Sequence, residues 1–382
     1  MRWCLIDLPV ISLAMLGLLS AASADGLDQV RLRGSSAYDA APSYPVIVSE
    51  PSYRVPASPS YPAPYPDAAT YPATTRPSRP VAVAPQAAQL HNFTFEFGTR
   101  YWYSSGTLAK DLYDDPRFSN VLNSRLTYAG LATGTFEGFG RANTPFGSFL
   151  KGYVGLSGLD RGSLNDEDFP PNTTPYASTL SQQQGGKLAY GSLDFGQIVV
   201  KNNRVSVGLF AGYGYLAERV NAYGCEQIAG NPSICVPALN AGVLGITEDT
   251  QWQFARLGLL GEFKQLDCLK LSAEVAWLPY EQVSAHDTHW LRLGSGFLDI
   301  AGPIPESGGG TGVQIETILS YQVNDRVTFG LGGRYWHLQT QGSTDFENVI
   351  VGLPYPPASQ PLNVTAIRYG GFAQGAYRFG PL

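Results

Sequence analysis

The sequence predicts an all-β protein, a ten-stranded antiparallel transmembrane β-barrel preceded by a disordered Pro/Tyr-rich N-terminal segment. Three observations carry that expectation. A leader of the exported type opens the chain, long segments from Phe93 onward alternate in polarity, and the connections between them alternate between short and long. Composition agrees: 43 glycines, 12% aromatic and 15% charged residues suit many strands joined by tight turns. A net charge of −6 with no basic stripe excludes nucleic acid as an expected partner.

Residues 1–24 read as a signal peptide. Arg2 gives a positive start, Leu8 to Leu19 supply an apolar stretch, and Ala22-Ser23-Ala24 makes a small-residue cleavage site before Asp25. That apolar core is short for a bilayer-spanning helix, which needs about 20 residues. Residues 25–90 follow as a Pro-rich disordered linker. Twelve of the 28 prolines fall between Pro42 and Pro85, with Tyr-Pro pairs at Tyr44, Tyr61, Tyr65 and Tyr71. Proline fixes φ and removes a donor, so this segment is expected outside the sheet as an extended periplasmic arm, a spacer or a contact to the cell wall.

The texture changes at 91–382, the expected barrel. Phe93-Thr94-Phe95-Glu96-Phe97, continuing to Tyr101-Trp102-Tyr103, alternates with the period of two that marks a two-faced strand. Similar segments lie at 124–139, 149–159, 188–200, 204–220, 250–266, 270–283, 311–323, 326–340 and 363–379. Ten is an even number, as expected for a single-chain bacterial outer-membrane barrel, and each exceeds the ~9–11 residues that cross a bilayer. Short turns are expected near 143–145, 201–203, 265–267 and 324–325, with long loops at 105–123, 160–187, 221–249, 284–310 and 341–362. Such a barrel sits in the outer membrane with short turns in the periplasm and long loops outside. A soluble sandwich or propeller explains these strand and loop lengths poorly. One detail fits imperfectly: the last aromatic, Phe379, is followed by Gly380-Pro381-Leu382.

Cys225 and Cys235 would close a small disulfide loop around Gly230-Asn231-Pro232, as an oxidising compartment allows. No Cys/His spacing resembles a metal site, and none is expected.

Two motifs carry chemistry. Asp166-Glu167-Asp168 follows the third segment and Asp287-Thr288-His289 follows the seventh. Both segments run outward, so both motifs belong to the same rim, facing one another across a cleft. On an extended backbone residues i and i+2 point to one side, so Asp166 with Asp168, and Asp287 with His289, can turn inward together. A carboxylate beside a histidine stabilises and orients the imidazole, while two close carboxylates repel and together hold a proton or a water. Taken singly, an acidic triplet also reads as a solvated face or a divalent-cation site. Taken together, the four residues are candidates for activating a water. Only four histidines occur, and His286 and His289 both lie here.

On these residues the chain resembles the omptin family of outer-membrane endopeptidases, over roughly 97–379 and best at 158–169, 204–213 and 277–289. The resemblance implies catalytic Asp166, Asp168, Asp287 and His289, and a water attacking the scissile carbonyl of a peptide or protein substrate. It implies no cofactor, with lipopolysaccharide as activator and, with the membrane lipid, as partner. Departures concern specificity. The family's pocket for a basic side chain uses two acids, which fall here on Lys110 and Ala285, with Ile246 nearby as a further lining residue. The expected pocket has thus exchanged two negative charges for one positive one, unless Asp111 substitutes. The expected lipopolysaccharide positions, 213–217, match in Tyr213, with Glu218 and Arg219 close by. A non-enzymatic outer-membrane barrel, an adhesin or structural protein, is the alternative; a porin ranks third, because ten strands enclose little room.

Overall fold

The computed structural model describes residues 93–114, 121–169, 174–294, 300–346 and 359–380. The expected leader 1–24 and arm 25–90 lie outside these described residues. The chain forms twelve strands: β1 (Thr94–Tyr113), β2 (Leu122–Asn143), β3 (Ser148–Gly158), β4 (Arg161–Asp168), β5 (Ala177–Gln183), β6 (Lys187–Lys201), β7 (Val205–Gln227), β8 (Leu239–Leu266), β9 (Leu269–His289), β10 (Ile304–Gln322), β11 (Val327–Thr344) and β12 (Gln360–Phe379). All pair antiparallel, and β1 pairs with both β2 and β12, which closes the ring.

Ten traverses of the barrel result, as the alternation predicts, because two of them are each broken in two. β3 pairs with β2 and β6 while β4 pairs with β2 and β5, so β3 and β4 are lower and upper halves of the third traverse. β5 and β6 divide the fourth in the same way, both bonding to β7. The second break is made by Gly185 and Gly186 at φ +67° and +107°, a backbone region that glycine enters without a Cβ clash.

The strands are longer than the sequence suggests, and the connections correspondingly shorter. β1 runs to Tyr113, β8 begins at Leu239 and β9 continues to His289, all inside segments expected as loops. The physical reason is visible on β9, where Leu271, Val275, Trp277 and Tyr280 face outward below, and Gln282, Ser284 and His286 face outward above. Above the apolar band the ladder persists, but its outer face turns polar and the period-two contrast fades. Opposite these extensions the turns are tight. Asn202 Oδ1 accepts from the backbone amides of Arg204 and Val205 at 2.9 and 2.8 Å, and Asn324 repeats the motif.

Aromatic side chains bound the outward apolar band, with Phe95, Phe97, Phe329 and Phe379 at one edge and Tyr103, Tyr213, Trp277 and Tyr335 at the other. This is the girdled surface of a membrane barrel. The interior is filled in layers. At the level of the band, Arg334 Nη1 binds Glu137 Oε2 at 2.7 Å, Arg100 Nη1 binds Glu316 Oε2 at 2.9 Å, and Arg256 Nε binds Asp194 Oδ1 at 2.9 Å. Trp102, Tyr190 and Trp336 stack edge to face above them, with centroids 4.9 to 5.5 Å apart. Higher still, Leu108, Leu126, Leu164, Val220, Trp252, Leu278 and Leu338 form an apolar core inside the barrel. A cavity of about 130 Å³ lies in the charged layer, lined by residues such as Arg100, Lys151, Arg256 and Glu274.

Candidate functional site

The inward row of β1, every second residue from Trp102 through Leu108, ends in Lys110 and Leu112. Lys110 is fully buried, and its ammonium reaches the inward rows of three consecutive strands across the barrel. Nζ donates to Glu248 Oε2 of β8, to Asp287 Oδ2 of β9 at 2.9 Å, and to Glu306 Oε1 of β10 at 2.9 Å. Cross-strand register explains the convergence. Glu248 stands opposite Asp287, and Glu306 stands opposite Ala285.

This changes the expected pocket. Lys110 and Ala285 both lie on inward positions and are buried. Acids on β8 and β10, Glu248 and Glu306, stand beside these positions and bind the Lys110 ammonium. Ile246 stands opposite His289 and packs on the interior apolar core. Glu248 and Glu306 escape sequence reasoning because they fall in segments read as loops. Extending the period of two from Trp252 through Thr250 would have marked Glu248 as inward. Asp111, the fallback acid, binds Arg125 at 2.6 Å instead.

The two motifs lie on strands rather than in loops: Asp166 and Asp168 on β4, Asp287 and His289 at the end of β9. His289 Nε2 is 3.3 Å from Asp287 Oδ1. Asp168 stands opposite Ser124 on β2, whose hydroxyl bonds it, and Asp166 stands opposite Leu126. The two halves of the rim are close enough to act on each other's protons. Burial, then the neighbouring Asp168, pushes Asp166 up to about 7, while His289 draws it back. Burial works against charge on Asp287, but Lys110 and His289 together hold its carboxyl below the usual range. Burial likewise disfavours the imidazolium of His289, yet Asp287 and Asp166 raise its proton affinity above the ordinary value. Asp168 is raised by burial, against its Ser124 bond and the nearby Arg292. All these groups lie above the apolar band.

Among the described residues, one set of acids could hold a metal ion: Glu248, Asp287 and Glu306, with oxygens within 4.8 Å of one another. The Lys110 ammonium is the cation these oxygens bind. Burial raises Glu248 and Glu306, and Lys110 draws both back.

Two other expectations concern the neighbouring hairpin. The structure joins Cys225 to Cys235, with Cα atoms 5.7 Å apart, where β7 parts from β8. Tyr213 faces outward and donates to Gln253 Oε1 at 2.8 Å, and Arg219 pairs outside with Asp249 at 2.5 Å. Glu218 turns inside and pairs with Arg368.

Fold and site define a closed membrane-type β-barrel carrying a buried lysine–carboxylate–histidine cluster at one rim. It is similar in fold to the outer membrane protease OmpT from Escherichia coli, matching 75% of this chain to 97% of that one at a TM-score of 0.59 and 13% identity. The outer membrane protein OprG from Pseudomonas aeruginosa matches 77% of this chain and 98% of its own at 9% identity, with a TM-score of 0.31. A toluene transporter, TodX from Pseudomonas putida, matches 76% and 91% at 9% identity, with a TM-score of 0.27. At these identities the likeness to the protease is one of fold, and the two lower scores carry no argument. No family model matches the chain, and no curated protein matches it in sequence.

Proposed function

We propose that the chain is an outer-membrane endopeptidase whose active site opens at the extracellular mouth of the barrel. In this mechanism Asp287 orients His289 and supports its positive charge, and His289 takes a proton from a water also held by Asp166 and Asp168. The hydroxide adds to the scissile carbonyl, and His289 returns the proton to the leaving amine as the C–N bond breaks. One observation carries the proposal: His289 Nε2 lies 3.3 Å from Asp287 Oδ1, with Asp166 of β4 adding to the proton affinity of His289. The barrel fold shared with a protease of the outer membrane supports it. Lipopolysaccharide is its proposed activator, and the arm 25–90 is proposed to lie in the periplasm against the cell wall.

A second function, a non-enzymatic adhesin or structural barrel, is favoured by the engagement of Asp287 in the buried Lys110 cluster. One experiment decides between them. The refolded barrel with lipopolysaccharide is given a peptide library beside Asp166→Asn and His289→Ala variants. Cleavage by the parent alone is the expected result, and the cut sites define the preference. A folded parent that cleaves nothing, or a His289→Ala variant that still cleaves, overturns the protease.

A further inference from the structure

We propose that Lys110 is a positioning residue of this site: by drawing Asp287 Oδ2 into the Glu248–Glu306 cluster, its ammonium turns Asp287 Oδ1 toward His289 Nε2. The effect on cleavage rests on the endopeptidase proposal; the effect on His289 does not.

The geometry divides the two oxygens of Asp287 between two cations, Oδ2 2.9 Å from Lys110 Nζ and Oδ1 3.3 Å from His289 Nε2. An ammonium has three protons to donate, and Lys110 spends all three on Glu248, Asp287 and Glu306. It keeps none for a substrate, so its action is internal. The dependence also runs the other way. Among the described residues Lys110 donates the hydrogen bond that Asp287 Oδ2 accepts, while Oδ1 is buried without a hydrogen bond and lies 3.3 Å from His289 Nε2. Glu248 Oε1 and Glu306 Oε2 are likewise buried without a second donor. Among the described residues the ammonium is therefore the donor shared by all three carboxylates, and Asp287 is the one of the three that also faces a histidine.

The charged and titratable groups that bear on Asp287 come from six strands: Lys110 (β1), Tyr128 (β2), Asp166 (β4), Glu248 (β8), His289 (β9) and Glu306 (β10). Mere neutralisation of buried acids by Lys110 makes a different prediction from positioning, and a balanced variant separates them. Lys110→Met removes the cation alone. Lys110→Met combined with Glu248→Gln removes one positive and one negative charge, and so keeps the net charge that the parent cluster carries.

Steady-state cleavage and an NMR titration of the His289 imidazole are measured on the folded parent and both variants. Positioning predicts a kcat about 10²-fold lower in the balanced variant, as expected for a small misplacement, with KM little changed. It also predicts that His289, which titrates high in the parent, falls back toward the ordinary value of about 6.5. Recovery of the parent kcat in the balanced variant, or a His289 that titrates as high as before, overturns the proposal and leaves Lys110 a neutralising charge. A parent that cleaves nothing removes the protease but leaves the imidazole titration to decide on Lys110.

Discussion

Glu248 and Asp287 stand directly opposite one another on β8 and β9, both buried and both turned inward. Like charges so placed destabilise a ladder. The pair persists because Lys110 reaches across from β1 to bind both. The fold therefore depends unequally on the members of this cluster.

Removing the cation should cost far more than removing one acid. Lys110→Met takes the ammonium from three buried acids and leaves only Asp287 with a basic neighbour, His289, and loss of one member of a buried ion pair costs about 3–5 kcal/mol. Glu248→Gln relieves a repulsion while Lys110 keeps Asp287 and Glu306, so its cost should stay within about 1 kcal/mol, the size of an ordinary net hydrogen bond. Urea unfolding of the barrel in lipid measures both. Equal losses would show that Lys110 does not hold the cluster together.

The pH dependence of the proposed cleavage follows from the roles proposed for His289 and Asp166. His289 accepts a proton from water only when neutral, and Asp287 and Asp166 raise its affinity above the ordinary value of about 6.5. Asp166 itself titrates at about 7. Below these values both groups are protonated, so cleavage should be low in mild acid and rise through neutrality. Asp166→Asn removes a negative charge that holds the His289 proton, so the imidazole should titrate at lower pH in that variant. NMR of His289 reads the shift directly, and movement to higher pH would contradict the assigned coupling.

The filled interior predicts a barrel closed to ions. Trp102 is completely buried and packs between Tyr190 and Trp336 above the Arg334–Glu137 pair. Planar-bilayer recording should show no steady conductance from the parent. Trp102→Ala empties the middle of this layer and should destabilise the barrel by about 3–5 kcal/mol, as for other buried tryptophans. Steady channels from the parent would mean that the charged and aromatic layers open.

What the sequence disclosed and what it hid divide along one physical line. Where strands face lipid, Phe95, Phe97 and Tyr101 alternate with polar neighbours, and all ten traverses are legible. Above the band, β8 is exposed throughout 239–243 and β9 presents Gln282 and Ser284 on its outward face, so strands read as loops. Asp166, Asp168, Asp287 and His289 survived that blur because each motif is a compact cluster of unusual residues. Glu248 and Glu306 did not, because each is a single acid whose meaning comes from a partner strand. Lys110 was legible as a misplaced cation, but its three acids arrive from positions 138 to 196 residues away. Only strand register brings them together.

The Cys225–Cys235 bond should matter to the hairpin tip and not to the barrel. It closes a loop with a sequence separation of 10, where β7 and β8 make their last ladder contact, Cys225 opposite Leu239. A loop of this length is worth about 3 kcal/mol on the chain-entropy account. That stabilisation acts on a segment joined to the ladder on one side only, so its loss loosens the tip without reaching the interior layers. The Cys225→Ala/Cys235→Ala variant should keep the compact, heat-resistant electrophoretic mobility of a folded barrel while gaining protease-sensitive bonds between residues 226 and 238. Unchanged resistance of the tip would show that its backbone is held by other contacts, and loss of the compact form would show that the bond supports the ring itself.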